Sequence, residues 1–394
     1  MIDIPNALIR ELSFNFKAHF GRSPSLLVFA PGRINLIGEH IDYNDGFVCP
    51  AAIDKYVGFA LGPSFTEQSI VLAQDLGEEF HFDAQENFHA SEPHWTNYIK
   101  GVLHQFSGTD IAPFQLLFQS SIPIGAGLSS SAALSCGFAY ALNEWTKEGK
   151  TKEELALIGQ RTEHDFAGVN CGLMDQFASV FGQKDSFILM DCRDLSLSFV
   201  HAELKDSTFL LIDSCVKHEL AESAYNQRRS ECEHALDIVK QSFPEITSFR
   251  QCDMRHIEAT REQMGEIPFR RASFVISEME RVHEAMSALE NKDAKLLGSL
   301  LNQTHEGLSA QYDVSCVELD FLQQNAVNQS AVLGARMMGG GFGGCLLVLL
   351  KKDCQHSVIQ ALTKAYLAKF GIEAKAYPIN ISQGIQHLSW HEQV

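Results

Sequence analysis

The alternation of short apolar runs with longer helical runs along the whole chain constrains its fold most. Runs such as LLVFAPG, YVGFALG, TFLLIDS and CLLVLL are bounded by glycine, proline or charged residues, which is typical of strands. Between such runs the residue period is helical over 95–106, 130–148, 151–166, 220–242 and 353–370. This mixture predicts an α+β fold. A length of 394 residues predicts two or three domains, and the pattern suggests a division near residues 185–200.

Composition and charge narrow the class of ligand. The 49 acidic residues outnumber the 31 Lys and Arg residues, for a net charge of −18, which disfavours nucleic acid and anionic membranes as partners. Ten cysteines without a C-x-x-C pair argue against a disulfide framework or a zinc ribbon. The first twenty residues do not resemble a secretion signal, so we expect a cytoplasmic protein. The apolar stretch 332–350 contains Arg336 and six glycines, which disfavours a membrane span.

The segment PGRINLIGEHIDYNDG at 31–46 gathers polar side chains directly after an apolar strand. Five of them stand within twelve residues: Arg33, Glu39, His40, Asp42 and Asn44. Carboxylates accept hydrogen bonds from neighbouring hydroxyls and an imidazole donates or accepts, so this composition favours a site for a polyhydroxylated ligand. From these residues alone, a solvated turn with acidic helix caps fits equally well.

Two glycine-rich segments follow later in the chain. PIGAGLSSSAA at 123–133 lies between a strand-like run and a long helix, where backbone N–H groups and the helix N-terminus can cradle a phosphate. It lacks the lysine of a Walker A loop, and an N-capped helix after a turn is the alternative. GARMMGGGFGGC at 334–345 leads into a strand rather than a helix, which argues against a dinucleotide fingerprint.

Together the three segments resemble the GHMP small-molecule kinases, and the first resembles the signature of the galactokinase family. The string G-R-x-N-L-I-G-E-H-x-D-Y-N is long and tolerates few alternatives. Further segments resemble that family in the same order: HWTNYIKGV at 94–102, EHDFAGVNCGLMDQFAS at 163–179 and VKHELAESAYNQRRSEC at 216–232. The resemblance thus extends along nearly the whole chain.

This resemblance implies a two-domain fold with the active site in the cleft between the domains. The first domain, which binds sugar and nucleotide, would span 1–186, the second would span 187–376, and the chain end at 377–394 would return to the first. The implied reaction transfers the γ-phosphate of ATP to the anomeric hydroxyl of α-D-galactose with the help of Mg²⁺. We expect a monomer that binds neither nucleic acid nor membrane.

The resemblance also implies a role for individual residues. Asp175 would be the active-site aspartate near the sugar O1, as base or as positioning group, and Arg33 its cationic partner. The sugar-binding residues would be Glu39, His40, Asp42, Gly172 through its backbone and Tyr225 through its phenol. The phosphate loop would comprise Gly125, Ala126, Gly127, Leu128, Ser129, Ser130 and Ser131. The Mg²⁺ ligands would be Ser131 and Glu163, and Trp95 would lie against the adenine.

Three departures from the family pattern and several alternatives remain. Ile41 and Met338 stand where Thr is common, and Gly340 stands where Ala is common. We expect Ile41 to leave the sugar contacts intact and Met338 to narrow the cleft. An N-acetylgalactosamine kinase is the closest alternative, and a non-catalytic galactose sensor is a second, although the intact SSSAA run disfavours it. Mevalonate and homoserine kinases are disfavoured because the carboxylates of the first motif suit hydroxyls.

Overall fold

The computed structural model describes residues 4–83, 86–123, 125–169, 171–217 and 221–389. Its strands are β1 Leu26–Asn35, β2 Phe47–Val48, β3 Pro50–Pro63, β4 Ser69–Ala73, β5 Glu78–Phe82, β6 Phe114–Ser120, β7 Ser186–Asp191, β8 Leu197–His201, β9 Ser207–Lys217, β10 Val332–Met337, β11 Gly343–Lys351, β12 Lys375–Ile379 and β13 Gln386–Ser389. Its helices are α1 Asn6–Phe20, α2 Thr96–Gln105, α3 Ser130–Thr146, α4 Lys152–Asp165, α5 Met174–Phe181, α6 Ala221–Ser242, α7 Met254–Met264, α8 Glu266–Glu290, α9 Ala294–Glu306, α10 Val317–Val327 and α11 Gln355–Phe370. The predicted α+β class is confirmed.

A six-stranded sheet in the order β13-β1-β3-β6-β4-β5 organises the first part of the chain. All ten residues of β1 are buried, because both faces of this strand are covered. Leu27 and Phe29 pack in a core with Leu12 of α1, whereas Val28 and Ala30 point into the larger core on the side of α3 and α5. Because side chains alternate along a strand, β1 contributes to two cores, one on each face of the sheet. This packing fixes the position of the residues that follow β1.

A four-stranded antiparallel sheet in the order β10-β11-β9-β12 organises the second part. Helix α9 approaches β10 very closely, since a Cβ on Gly334 would lie 2.0 Å from the carbonyl oxygen of Gly298. The apolar stretch 332–350 thus forms β10 and β11 of this sheet. Within the described ranges, no helix is long and apolar enough to cross a membrane.

Strands β2, β7 and β8 form a third, three-stranded sheet, and β13 forms one edge of the six-stranded sheet. Strand β7 pairs with β2 on one side and with β8 on the other, and β13 pairs with β1, with Leu26 opposite Ser389. Residue 377 lies in β12, which pairs with β9, so the chain passes back to the first sheet after Ile379. The domain boundaries expected at 186 and 376 stay predictions.

Candidate active site

A cavity of about 470 Å³ is lined by residues from both parts of the chain. Every residue predicted to act on the sugar lines it: Arg33, Glu39, His40, Asp42, Gly172, Asp175 and Tyr225. The glycines at 339–341, between β10 and β11, line it from the second sheet. The structure therefore brings together segments that lie about 300 residues apart in sequence, as the contact between His40 and Gly340 illustrates.

Arg33 and Asp175 form a two-pronged ion pair at this cavity. Arg33 lies near the end of β1, after a bulge in its pairing with β3, and Asp175 lies in the first turn of α5. The guanidinium donates through Nε to Oδ1 at 2.7 Å and through Nη2 to Oδ2 at 2.9 Å. Arg33 is buried. A bidentate pair of this kind fixes the orientation of the carboxylate and also places a positive charge beside it.

The loop 125–131 is tied to the same ion pair. Arg33 donates from Nη1 to the carbonyl of Gly127 at 2.5 Å and from its backbone N–H to the carbonyl of Leu128 at 3.1 Å. The Ser129 hydroxyl donates to Oδ2 of Asp175. Gly125, Gly127 and Ser129 all have positive φ, which turns the loop sharply before α3 begins at Ser130. The hydroxyl of Ser129 is thereby engaged by the carboxylate of Asp175.

Glu163 is a buried carboxylate behind this ion pair. It lies on α4, accepts from Nε2 of Gln176 at 2.7 Å, and accepts a hydrogen bond from the hydroxyl of Ser131. Burial and the nearby charge of Asp175 raise the pKa of Glu163 to about 7. The two predicted Mg²⁺ ligands, Ser131 and Glu163, are thus in direct contact.

Two carboxylates of the first motif face the cavity in different ways. Oε1 of Glu39 accepts from the backbone N–H of Gly339 at 2.9 Å and from Nη2 of Arg336 at 3.0 Å. Burial and the charge of Glu39 raise the pKa of Asp42 to about 6. Asp42 also lies beside Gly172, where a Cβ would be 3.1 Å from Oδ2. The predicted sugar-binding carboxylates and Gly172 therefore share one wall of the cavity.

The imidazole of His40 is engaged by protein at both nitrogens. Nε2 lies 3.2 Å from the carbonyl of Gly340 and Nδ1 lies 2.8 Å from the hydroxyl of Tyr43. Because a carbonyl can only accept, Nε2 carries the hydrogen and Nδ1 accepts from Tyr43. Burial lowers the pKa of His40 to about 4, so the ring is neutral. Tyr43 in turn contacts the hydroxyl of Tyr312 at 2.9 Å. The predicted bond from the His40 ring to a sugar hydroxyl stays a prediction.

Other predicted positions lie at or beyond the edge of the cavity. Trp95 does not line it; its Nε1 donates to Glu78 at 2.6 Å and its ring packs on Phe118. Met338 is buried and does not line it either, so the expected narrowing of the cleft by this side chain is not what the structure shows. The glycine at 340 leaves room beside the Tyr225 ring, which a Cβ there would meet at 3.5 Å.

Side chains from the second part of the chain hold the first motif from several sides. Glu278 accepts from the backbone N–H of Gly38 at 2.9 Å, and Arg250 donates to the carbonyl of Asp45 at 2.9 Å. Arg336 donates to the backbone carbonyls of Asn35 and Leu36. The segment 35–46 therefore owes its shape to residues more than 200 positions away.

Sequence reasoning missed the contacts of Arg336 and the use of the Ser129 hydroxyl. One signal for Arg336 was present, because it is the one charged residue in the apolar stretch 332–350. A charge in such a context needs a buried partner. For Ser129 the run of three serines gave no means of telling one hydroxyl from another.

Comparisons with known proteins identify the family of the chain. Three family descriptions match the chain: the galactokinase galactose-binding signature over residues 15–63, the GHMP kinases N-terminal domain over 97–183 and the GHMP kinases C-terminal domain over 285–368. A galactokinase of Thermotoga maritima is 41% identical over 92% of this chain and 99% of its own length. One of Clostridium perfringens is 38% identical over 95% and 98%.

Solved structures give the same result. The galactokinase of Lactococcus lactis, crystallised with galactose, matches 97% of this chain and 100% of its own with a TM-score of 0.89 and 33% identity. A mevalonate kinase shares the fold, with a TM-score of 0.67 at 17% identity. The chain belongs to the galactokinase family of the GHMP kinases.

Proposed function

We infer that this chain transfers the γ-phosphate of ATP to the anomeric hydroxyl of α-D-galactose, giving α-D-galactose 1-phosphate and ADP. The observation that carries this inference is the fork between Arg33 and Asp175, placed in a cavity whose wall holds Glu39 and Asp42. Relatives named galactokinase are about 40% identical over most of the chain. None of the described residues that line the cavity favours the N-acetylgalactosamine kinase or the sensor over this activity.

The sugar pocket supports a polyhydroxylated substrate. We propose that Glu39 and Asp42 accept from sugar hydroxyls, that the backbone of Gly172 and the phenol of Tyr225 complete the pocket, and that His40 shapes it. Carboxylates aimed into a partly buried cavity discriminate strongly for ligands that bring hydroxyl donors, because otherwise these oxygens lose hydrogen bonds when water is displaced.

Asp175 is arranged to receive the hydroxyl that accepts the phosphoryl group. A carboxylate has about four acceptor positions. Arg33 and Ser129 occupy three of them, with one donor on Oδ1 and two on Oδ2. Among the described residues none takes the remaining position on Oδ1, so we propose that the anomeric hydroxyl donates there. Asp175 thereby orients the nucleophilic oxygen, and its proton can pass to the same carboxylate oxygen during transfer.

The loop and its neighbours suit the phosphates of ATP. Phosphoryl transfer depends chiefly on positioning and on neutralising charge. We propose that backbone N–H groups of residues 125–131 and the N-terminus of α3 hold the phosphates, while Arg33 faces the transferring group. The position of Trp95 against the adenine, the monomeric state and the cytoplasmic location stay predictions.

Ser131 and Glu163 fit a magnesium ion carried with ATP. Their side chains are in contact, and the buried Glu163 lies beside the charge of Asp175, an arrangement that a cation would relieve. Within the described residues no cluster of three or more His, Cys, Asp or Glu could hold a metal. Mg²⁺ is usually coordinated by only one or two protein side chains, and phosphate oxygens and water molecules supply the remaining ligands. When bound, the ion would neutralise phosphate charge.

A coupled ADP-release assay with ATP and Mg²⁺ tests this function. Galactose, N-acetylgalactosamine, glucose and mevalonate are compared, with Asp175→Asn as the site variant. Asp165→Asn, an exposed carboxylate at the end of α4, is the matched control and should retain activity. We expect ADP release with galactose alone and its loss in Asp175→Asn. Galactose binding by calorimetry without ADP release would make the protein a sensor.

A further inference from the structure

We propose that Arg336 is a positioning residue that holds Glu39 so that one oxygen of its carboxylate faces a galactose hydroxyl. This inference rests on the proposed function, because it requires a sugar in the cavity. It concerns a residue of β10, in the second sheet, that does not line the cavity itself.

The Arg336 guanidinium is entirely buried and almost fully bonded. The residue has 0% exposure. Nε donates to the carbonyl of Leu36 at 2.7 Å and Nη1 to the carbonyl of Met337 at 2.8 Å. Nη2 donates to the carbonyl of Asn35 and, at 3.0 Å, to Oε1 of Glu39. Because an unpaired buried charge is very costly, this set of partners is held firmly.

The two oxygens of Glu39 are left in unequal positions. Oε1 accepts from Arg336 and, at 2.9 Å, from the backbone N–H of Gly339. Glu39 lines the cavity, and no residue in the described ranges donates to its Oε2. A carboxylate pinned at one oxygen by two donors cannot rotate freely, so Oε2 is presented to the cavity as the acceptor.

The geometry calls for a guanidinium in particular. Arg336 reaches the carbonyl of Leu36 through Nε, and the carbonyl of Asn35 and the carboxylate of Glu39 through Nη2, which lies in the same plane. A lysine ammonium offers a single nitrogen and cannot span these three acceptors. The contacts also join the six-stranded sheet to the four-stranded sheet, so this side chain and the N–H of Gly339 together fix Glu39 relative to the glycines at 339–341.

The competing explanation is that Arg336 only stabilises the fold and has no influence on sugar binding. Discrimination between substrates distinguishes these two explanations. Wild type, Arg336→Lys, Arg336→Met and Glu39→Gln are assayed by ADP release on galactose and on 2-, 3-, 4- and 6-deoxygalactose. The readout is the ratio of kcat/KM for galactose to that for each derivative. Glu39→Gln should lower this ratio for the derivative that lacks the hydroxyl bound by Glu39.

We expect both Arg336 variants to lower that same ratio by about tenfold or more, the effect of a hydrogen bond to a charged group, with KM for ATP unchanged. In the double variant of Glu39→Gln with Arg336→Met the two losses should be far from additive. Arg250→Met is the matched control. Its guanidinium also donates hydrogen bonds to the first motif, at the carbonyls of Asp45 and Gly46, but it contacts no side chain that lines the cavity. It should lower Tm and leave every ratio unchanged.

The proposal would be overturned if the folded Arg336 variants kept the wild-type kcat/KM ratio for every deoxy derivative, or if the ratio fell equally for all of them. If those variants do not fold, the stability of Glu39→Met tests the pairing instead. This change leaves the buried guanidinium of Arg336 without its carboxylate partner, so Tm should fall by several degrees. An unchanged Tm would overturn the pairing. Wild-type protein without activity on galactose would instead contradict the proposed function, and the Tm measurement would still test the pairing.

Discussion

Replacing Glu163 with glutamine should stabilise the ligand-free protein at neutral and alkaline pH while impairing catalysis. The residue is 3% exposed. Burial, together with the charge of Asp175, raises its pKa from 4.5 to about 7. Each tenfold change in a protonation equilibrium is worth about 1.4 kcal/mol, so keeping this carboxylate ionised costs the folded protein about 3 kcal/mol. Glutamine keeps an acceptor for Gln176 without the charge.

The sign of the pH dependence follows from the raised pKa of Glu163. Between pH 4.5 and about 7 the folded protein binds more protons at this group than the unfolded chain does. Stability therefore falls as pH rises through that window and levels off above it. Urea unfolding at pH 5 and pH 8, with EDTA, measures the effect. The advantage of Glu163→Gln over wild type should be about 2–3 kcal/mol larger at pH 8 than at pH 5.

Glu153→Gln, on the exposed surface of α4, is the control and should show no comparable change between the two pH values. In the ADP-release assay Glu163→Gln should lower kcat/KM by about tenfold or more, because a neutral amide is a poor Mg²⁺ ligand. An equal advantage at both pH values, or a less stable variant at pH 8, would show that the buried charge of Glu163 does not destabilise the folded protein.

Further predictions concern the sugar side of the cavity. Galactose affinity measured by calorimetry should fall as pH drops below about 6, where Asp42 takes up a proton and loses acceptor capacity, and Asp42→Asn should show no such dependence. Gly340→Ala should keep its activity, whereas Gly341→Ala should lower Tm, because its Cβ would lie 2.2 Å from the Val314 carbonyl oxygen at a positive φ. Tyr312→Phe removes a buried hydrogen-bonding hydroxyl and should reduce the free energy of unfolding by about 1 kcal/mol, measured with urea.

Local periodicity predicted most of the helices and strands. The helix expected over 151–166 appears as α4, and its start is fixed by Thr151 and Glu154, which cap each other's backbone N–H. The strand expected from YVGFALG at 56–62 is part of the longer strand β3. Strands β10 and β13 were not predicted, because VLGARM merges with an apolar, glycine-rich stretch and β13 has four residues that depend on pairing with β1.

The site was predictable only where a long motif carried it. The residues of the first motif are contiguous, but Arg33 and Asp175 are 142 positions apart and were joined through resemblance. Arg336 lies 297 positions from Glu39, and no local pattern can reveal a partner at that distance. The same holds for Ser129, whose hydroxyl donates to Asp175, 46 positions away.

The position of the phosphate on the product shows whether this protein phosphorylates the anomeric hydroxyl of galactose. Wild-type protein is incubated with ATP, Mg²⁺ and galactose labelled with ¹³C at C1, and the product is examined by ³¹P and ¹³C NMR. We expect coupling between phosphorus and C1 of the α anomer, with loss of the product in Asp175→Asn. Phosphate on another hydroxyl, or unchanged transfer in Asp175→Asn, would contradict it.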